Sequence, residues 1–403
     1  MSKAFVSFND FMSLPVVFYH TIGVNPYESA TNTATRSHWL LAIFIFHVIN
    51  LNCMCGLEIA FVYMSFRDSQ NFVESCMVMG YIAFVVVGEL KMLTVWWQKP
   101  KLNALMREME MIFPSSSVED QRQYQVERYL QRCRVFTKGF TCLYLVLIAT
   151  YNLYVLIQFI IQRLFLDMPN ARLVMPYTPV SPWSLENGLG YGVMYVLQAV
   201  AGYCATAGHA SSDILIYAVV IQDIMHYDHL SRELVELKIQ TGRVRDGSDK
   251  DLKVLQKLIS YHNKLLGLTE VINQVFGLPL LLNFMASSLL VCFVGFQMTL
   301  GLSPELICKL AVFLVAQMVQ IYLICYFSDL LINASASVSN AVYEMNWIEA
   351  DVRFQKMLII IAARAQRPVY LRATVFLDVS MQTMTMFLQM TYRFFCVIRT
   401  MYQ

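Results

Sequence analysis

Charge is scarce in this chain. Only 14% of its 403 residues are Asp, Glu, Lys or Arg, roughly half the share of a soluble domain. That excludes a solvated, self-repelling disordered chain. A net charge of +2 also excludes a basic nucleic-acid module, so no nucleic-acid partner is expected. Chemical signatures are lacking too. There is no nucleophile elbow, no zinc-spaced Cys/His set and no phosphate loop, so an enzyme is not expected, nor a cofactor or bound metal. The ten cysteines are irregularly spaced and mostly fall in apolar runs. They read as small packing residues, with no disulfide framework.

Apolar residues are abundant instead, at 57%. A bilayer core about 30 Å thick needs about 20 consecutive apolar helical residues. Seven runs qualify: Trp39 to Phe66, Phe72 to Trp97, Val135 to Phe165, Leu189 to Asp223, Val271 to Leu300, Pro304 to Leu331, and a less apolar run from Val375 to Ile398. They exceed the length of a barrel strand, and backbone satisfaction in lipid makes each a helix. The predicted fold class is therefore an all-α membrane protein with seven transmembrane helices. Residues 167–186 hold Pro169, Pro176, Pro179 and Pro182 and read as an irregular loop.

Twenty-three of the thirty Lys and Arg residues lie in residues 1–38, 98–138, 225–270 and 333–375. The positive-inside rule then predicts a cytosolic amino terminus and, after seven spans, an extracellular carboxyl terminus. That orientation argues against a G-protein-coupled receptor, as does the lack of Asp-Arg-Tyr after the third run and of Asn-Pro-x-x-Tyr in the seventh. Residues 1–38 carry no signal-peptide core.

Within the spans, Glu58, Glu89, Lys91, Asp213 and Asp329 are costly in lipid. Lys91, Asp213 and Asp329 sit toward the cytosolic ends, where snorkelling or interhelix pairing suffices; Glu58 is deeper, with no evident role. Asp223, His226 and His229 read as a solvated helix end rather than a metal site. Asn333-Ala334-Ser335 forms a glycosylation sequon on the cytosolic side, where it goes unused. Gly188, Gly190, Gly192, Gly202, Ala205 and Gly208 read as small residues for close helix packing. In the last run Gln382, Thr385, Gln389, Arg393, Cys396 or Val397, and Thr400 recur at three- and four-residue intervals and share one face. Such a polar stripe either buries against neighbouring helices or lines an aqueous pore.

The end of the chain carries an ordered pattern. It reads Ala341-Val342-Tyr343-x-x-x-Trp347, then Arg364-x-Gln366-x-Pro368-x-x-Leu371-x-Ala373-x-x-Phe376-x-x-x-Ser380, then Thr391-Tyr392-x-Phe394-Phe395. Over about 60 residues this resembles the carboxyl-terminal signature of insect odorant receptors, and the topology and loop sizes extend the resemblance along the chain. Two positions depart: Thr374 stands where the family has Gly, and Arg393 where it has a small polar residue. The related gustatory receptors follow Thr-Tyr after five residues with Gln-Phe; here Ile398-Arg399 stands there, so that relative fits less well, and a gustatory or G-protein-coupled chemoreceptor is the alternative reading.

The resemblance implies an odorant-gated, nonselective cation channel in the plasma membrane of olfactory sensory neurons. It implies a tuning subunit that assembles with a shared co-receptor, as a tetramer, because the co-receptor's loop between the fourth and fifth spans is longer than 225–270. Residues 1–332 would form the ligand-binding region, 333–374 a cytosolic anchor and 375–403 the pore helix. The odorant, a small volatile, would sit among Met77, Gly80, Tyr81, Phe84, Ile148, Tyr151, Tyr154, Val155, Tyr191, Met194, Tyr195, Gln198, Leu310 and Leu314. Gln389, Arg393, Cys396, Val397 and Ile398 would line the pore, with Val397 or Ile398 as an apolar gate that closes by dewetting.

Overall fold

The structure is a computed structural model that describes residues 5–28, 38–67, 72–164, 175–178, 180–185, 188–239, 245–300 and 304–402. Its helices in chain order are α1 (Phe8–Thr21), α2 (His38–Arg67), α3 (Phe72–Trp97), α4 (Lys99–Ile112), α5 (Val118–Gln123), α6 (Val126–Leu164), α7 (Gly188–Glu236), α8 (Arg245–Gln297), α9 (Pro304–Glu344), α10 (Val352–Ala365) and α11 (Met381–Tyr402). Six of them, α2, α3, α6, α7, α8 and α9, are long and apolar enough to cross a bilayer. At 1.5 Å per residue, α11 with its 22 residues is about 33 Å long. It misses the hydropathy standard of the six because it carries a polar stripe and two arginines.

Burial divides the helices by role. The apolar window of α2 is only 28% buried and turns Trp39, Ile49, Ile59 and Tyr63 outward. That of α7 is wholly buried although its mean hydropathy, 1.4, is the lowest of the six. A helix surrounded by protein needs no lipid-compatible face, so it carries small and polar residues. The bundle is built around it: α7 touches α1, α2, α3, α6, α8 and α9.

Two features set the α3–α7 crossing. A Cβ on Gly88 would lie 2.7 Å from the Ala205 carbonyl oxygen, and one on Gly208 would lie 2.8 Å from that of Gly88. The backbones are in direct contact there, as small residues permit. Gly188 and Gly192, by contrast, face open space. Beside the seam, Lys91 Nζ lies 2.8 Å from Asp213 Oδ1, with both side chains 1% exposed. Gln320 of α9 donates to Asp213 Oδ2, which ties three helices at one point. The two charges thus pair across the interior rather than at a solvated end.

The Asp223, His226 and His229 group differs from its reading as a solvated helix end. All three are buried, because α7 runs on to Glu236 and α8 begins at Arg245, so the helices extend far beyond the apolar runs and cover one another. Tyr124 stacks on His229 at 3.5 Å, His226 Nδ1 lies 2.7 Å from the Tyr261 hydroxyl, and Thr269 donates to Asp223 Oδ2 at 2.8 Å. No cluster among the described residues has a metal-ligand arrangement. The sequon lies inside α9, where the Ser335 hydroxyl accepts from the Val369 backbone N–H at 3.1 Å.

The chain is not purely α-helical. Leu371–Ala373 (β1) and Leu377–Val379 (β2) form an antiparallel hairpin in the register Leu371↔Val379, Arg372↔Asp378, Ala373↔Leu377. The last helix therefore begins at Met381, not at Val375. The hairpin is pinned on both sides. Asn273 of α8 donates to the Tyr370 carbonyl and accepts from Arg372 N–H, each at 2.9 Å. Ser328 of α9 donates to the Val379 carbonyl at 2.6 Å. Thr374 sits in the turn at φ 63°, the left-handed region that favours glycine. The family's Gly at this position, which Thr374 replaces, has its physical reason in that angle.

Breaking the buried pair from one side should be severe. Asp213→Ala is expected to cost about 3–5 kcal/mol, because it strands the Lys91 charge. The double change Lys91→Met with Asp213→Leu should recover most of the loss in thermal melting of the detergent-solubilised protein; equal melting of Asp213→Ala and the parent would remove the pair from any structural role.

Candidate functional site

A cavity lies toward the end of the bundle where α6 connects to α7. Its walls come from five spans and one loop: Leu51, Met54, Cys55 and Glu58 of α2, Tyr81, Phe84 and Val85 of α3, Leu147, Ile148 and Tyr151 of α6, Tyr177 and Thr178 of the loop, Gln198, Ala201, Gly202, Ala205 and Thr206 of α7, and Phe313 of α9. Its volume is only about 40 Å³. The site is narrow and suits a flat or slender apolar molecule.

An aromatic box forms its centre. Tyr81 meets Tyr151 and Tyr177 edge-on at 5.8 and 5.7 Å, and Tyr151 stacks parallel to Tyr177 at 6.2 Å. Phe313 meets Phe84 edge-on at 5.6 Å, and Phe84 also stacks on His209 at 4.2 Å. These are the offset and edge-to-face arrangements aromatic pairs prefer. Lys309 holds its ammonium 4.3 Å from the Tyr151 ring centre and 5.7 Å from that of Tyr81, within cation–π range.

The loop wall is held by hydrogen bonds rather than by regular structure. Tyr177 N–H donates to Gln198 Oε1 at 3.2 Å, and Gln198 Nε2 donates to the Thr178 carbonyl at 2.9 Å. The Tyr177 hydroxyl donates to Asn152 Oδ1 at 2.8 Å. Burial pushes that hydroxyl above its ordinary range, so it stays a neutral donor. A Cβ on Gly202 would lie 2.2 Å from the Tyr177 hydroxyl oxygen, so the absence of a side chain there makes the seat for the ring.

Of the residues expected around an odorant, Tyr81, Phe84, Ile148, Tyr151 and Gln198 line this cavity. The others lie elsewhere. Met194 is buried in a second cluster with Met54, Met175 and Ala201, against which Tyr191 and Tyr195 pack. The Tyr195 hydroxyl donates to the Asn152 carbonyl at 2.6 Å. Leu310 is in the main core with Leu314 packed on it. Gly80 faces Leu290, Val155 is buried, and Tyr154 is half-buried. The Met77 side chain lies outside the described residues. Sequence reasoning missed the α2 residues, the loop residues Tyr177 and Thr178, and Phe313. An intramembrane carboxyl at Glu58 was the one signal pointing to α2, and no periodicity marks the loop.

On α11, Phe387 and Thr391 turn inward against α8, with Phe284 6.2 Å from Phe387 and the Ser288 and Thr391 hydroxyls 3.4 Å apart. Gln382, Thr385, Gln389, Arg393, Val397 and Thr400 face away from the chain and are exposed, whereas Cys396 and Ile398 are half-buried. The polar stripe is therefore not buried within the chain.

A family profile described as 7tm Odorant receptor matches residues 71–392. The chain belongs to the insect odorant receptor family. It is 44% identical to Odorant receptor 67a of Drosophila melanogaster over all of this chain and 98% of that one. It is 38% identical to Odorant receptor 85c of the same organism over 97% of this chain and 99% of that one. These relatives place it with the tuning receptors rather than with the co-receptor. Its fold is similar to that of the olfactory receptor OR5 from Machilis hrabei in complex with eugenol, with a TM-score of 0.79 at 15% identity over 98% of this chain and 97% of that one. It is thus a multi-pass membrane receptor and not an enzyme.

A substitution at the receptor's Gly202 tests the seat of the loop wall. Gly202→Ala should displace Tyr177 and break its bond to Asn152, worth about 0.5–1.5 kcal/mol. The expected outcome is a severalfold shift in odorant sensitivity with normal surface expression; dose–response curves that overlay those of the parent would show that Tyr177 does not border the occupied space.

Proposed function

We propose that this receptor is the odorant-binding subunit of a ligand-gated, nonselective cation channel, assembled with the shared co-receptor as a heterotetramer in the plasma membrane of olfactory sensory neurons. The observation that carries the reading is the aromatic cavity enclosed by α2, α3, α6, α7 and α9, in the same molecule as an α11 whose polar face its own chain leaves uncovered. The eugenol held by the similar Machilis receptor supports a small, largely apolar volatile as the ligand.

In this reading the chain crosses the membrane seven times, with α11 as the seventh span, a cytosolic amino terminus and an extracellular carboxyl terminus. The basic residues concentrated in 1–38, 98–138, 225–270 and 333–375 support that orientation. Residues 1–332 carry the ligand site, 333–374 form the cytosolic anchor and 375–403 carry the pore helix. Gln389, Arg393, Cys396, Val397 and Ile398 lie along the conduction path. Arg393 would repel cations in a ring of identical subunits, but co-receptor subunits supply the other quadrants.

Opening is a population shift. The ligand must bind the open arrangement more tightly than the closed one, since equal affinity moves nothing. The cavity is too narrow in its present form for a bulky ligand, so occupancy pushes its walls apart. Because α9 contributes Phe313 to the cavity and also packs on α11, wall movement reaches the pore helix directly.

Co-expression with the co-receptor, with currents recorded to a broad panel of volatiles, tests the subunit assignment. Current that requires both chains is expected. Labelling of an amino-terminal tag on intact cells, or silence to the whole panel, would overturn it. For the gate, Val397→Ser should raise the ligand-free current several-fold, as expected when an apolar constriction is wetted; an unchanged basal current at equal surface expression counts against Val397.

A further inference from the structure

Among the described residues, the cavity wall holds a buried carboxyl oxygen with no hydrogen-bond partner. Glu58 is 4% exposed and borders the cavity from α2, and its Oε2 makes no hydrogen bond. Other polar groups of the wall are engaged in holding its shape: Gln198 holds the loop, Tyr177 donates to Asn152, and the Thr206 hydroxyl donates to the Gly202 carbonyl at 2.7 Å. A buried polar group left unsatisfied costs free energy that a bound partner can return. Such a cost in an otherwise aromatic and aliphatic box is offset where a ligand supplies the missing bond.

We propose that Glu58 is the polar anchor of the site and selects volatiles carrying a hydroxyl group, which donates a hydrogen bond to Oε2, over ethers of the same shape. The proposal deepens the odorant-binding reading and rests on it. A hydroxyl fits better than an ammonium group for two reasons. Stripping water from a cation costs far more than stripping it from a neutral hydroxyl. The Lys309 ammonium, 4.3 Å from the Tyr151 ring centre, already places one cation at the same aromatic box and opposes a second. An ether of equal volume fills the same space by dispersion but can only accept a hydrogen bond, whereas a hydroxyl both donates and accepts and so can serve both oxygens of the carboxyl. Discrimination by a buried polar group of this kind is stronger than discrimination by an added methylene.

The test uses matched pairs applied to the receptor co-expressed with the co-receptor: eugenol against its methyl ether, phenylethyl alcohol against its methyl ether, and hexanol against hexyl methyl ether. The parent receptor should respond to the alcohol of an active pair at a concentration about tenfold or more below that for the ether. Glu58→Met should abolish that preference by raising the effective alcohol concentration to that of the ether, with surface expression equal to the parent's reporting an intact fold. Glu58→Gln, which keeps an acceptor oxygen at the same reach, should retain part of it. Equal sensitivity of the parent to alcohol and ether, or a preference that survives Glu58→Met, would overturn the proposal. Silence of the parent to every compound and to the broad volatile panel would instead overturn the odorant-binding reading beneath it.

Discussion

The contact between α3 and α7 is the constraint on which the rest of the molecule depends. Gly88 and Gly208 let two backbones touch, and the Lys91–Asp213 pair sits one turn further along the same crossing. Lipid supplies no hydrophobic drive between apolar helices, so close backbone approach and interhelix polar bonds decide how spans associate. Gln320 extends the bond to α9. With three helices tied at that point, the register between α3 and α7 is set for the turns beyond it. His209 then stacks on Phe84 and lies within hydrogen-bond distance, 2.9 Å, of the Phe84 carbonyl oxygen. Phe84 and Tyr81 are thereby presented opposite Ala205 and Gln198, and the cavity has its floor.

The cavity's other walls use different physics. The α6 wall combines aliphatic Leu147 and Ile148 with the Tyr151 ring. The loop wall is a short irregular segment that would have no fixed place without the two-way bond from Gln198 and the missing side chain of Gly202. Polar atoms thus serve mainly to hold the shape of an apolar site, and Glu58 stands apart because it has no such task.

At the opposite end the hairpin joins the α10 region to α11. Asn273 and Ser328 hold it against α8 and α9, and Gly277 brings α8 within 3.1 Å, from an ideal Cβ, of the Thr374 nitrogen. The start of α11 is therefore set by two spans, one of which, α9, also contributes Phe313 to the cavity. A threonine at a left-handed angle loads this junction with a conformational cost of about 1–2 kcal/mol. The junction couples α8 and α9 to the start of α11.

The sequence by itself determined that the chain is a helical membrane protein, because lipid demands long apolar runs and long apolar runs are visible one residue at a time. It also determined the family, through the ordered signature from Tyr343 to Phe395, and the polar face of the last helix, because helical periodicity is local. Tyr81, Phe84, Ile148, Tyr151 and Gln198 were legible as residues that line the cavity, since they sit on spans whose depth could be estimated. Only the tertiary structure decided the rest. Which face of each span turns inward depends on its neighbours, so Tyr191, Met194 and Tyr195 went to a separate cluster while Tyr177, Thr178 and Phe313 closed the cavity. Lys91 and Asp213 are 122 positions apart and meet only through a crossing that no local pattern encodes. The burial of His226 and His229 came from helices extending past their apolar runs, and the 371–379 hairpin from partners on α8 and α9. The scarcity of charge told what kind of solvent surrounds the protein; the few charges within it acquired their meaning only when helices distant in sequence came together.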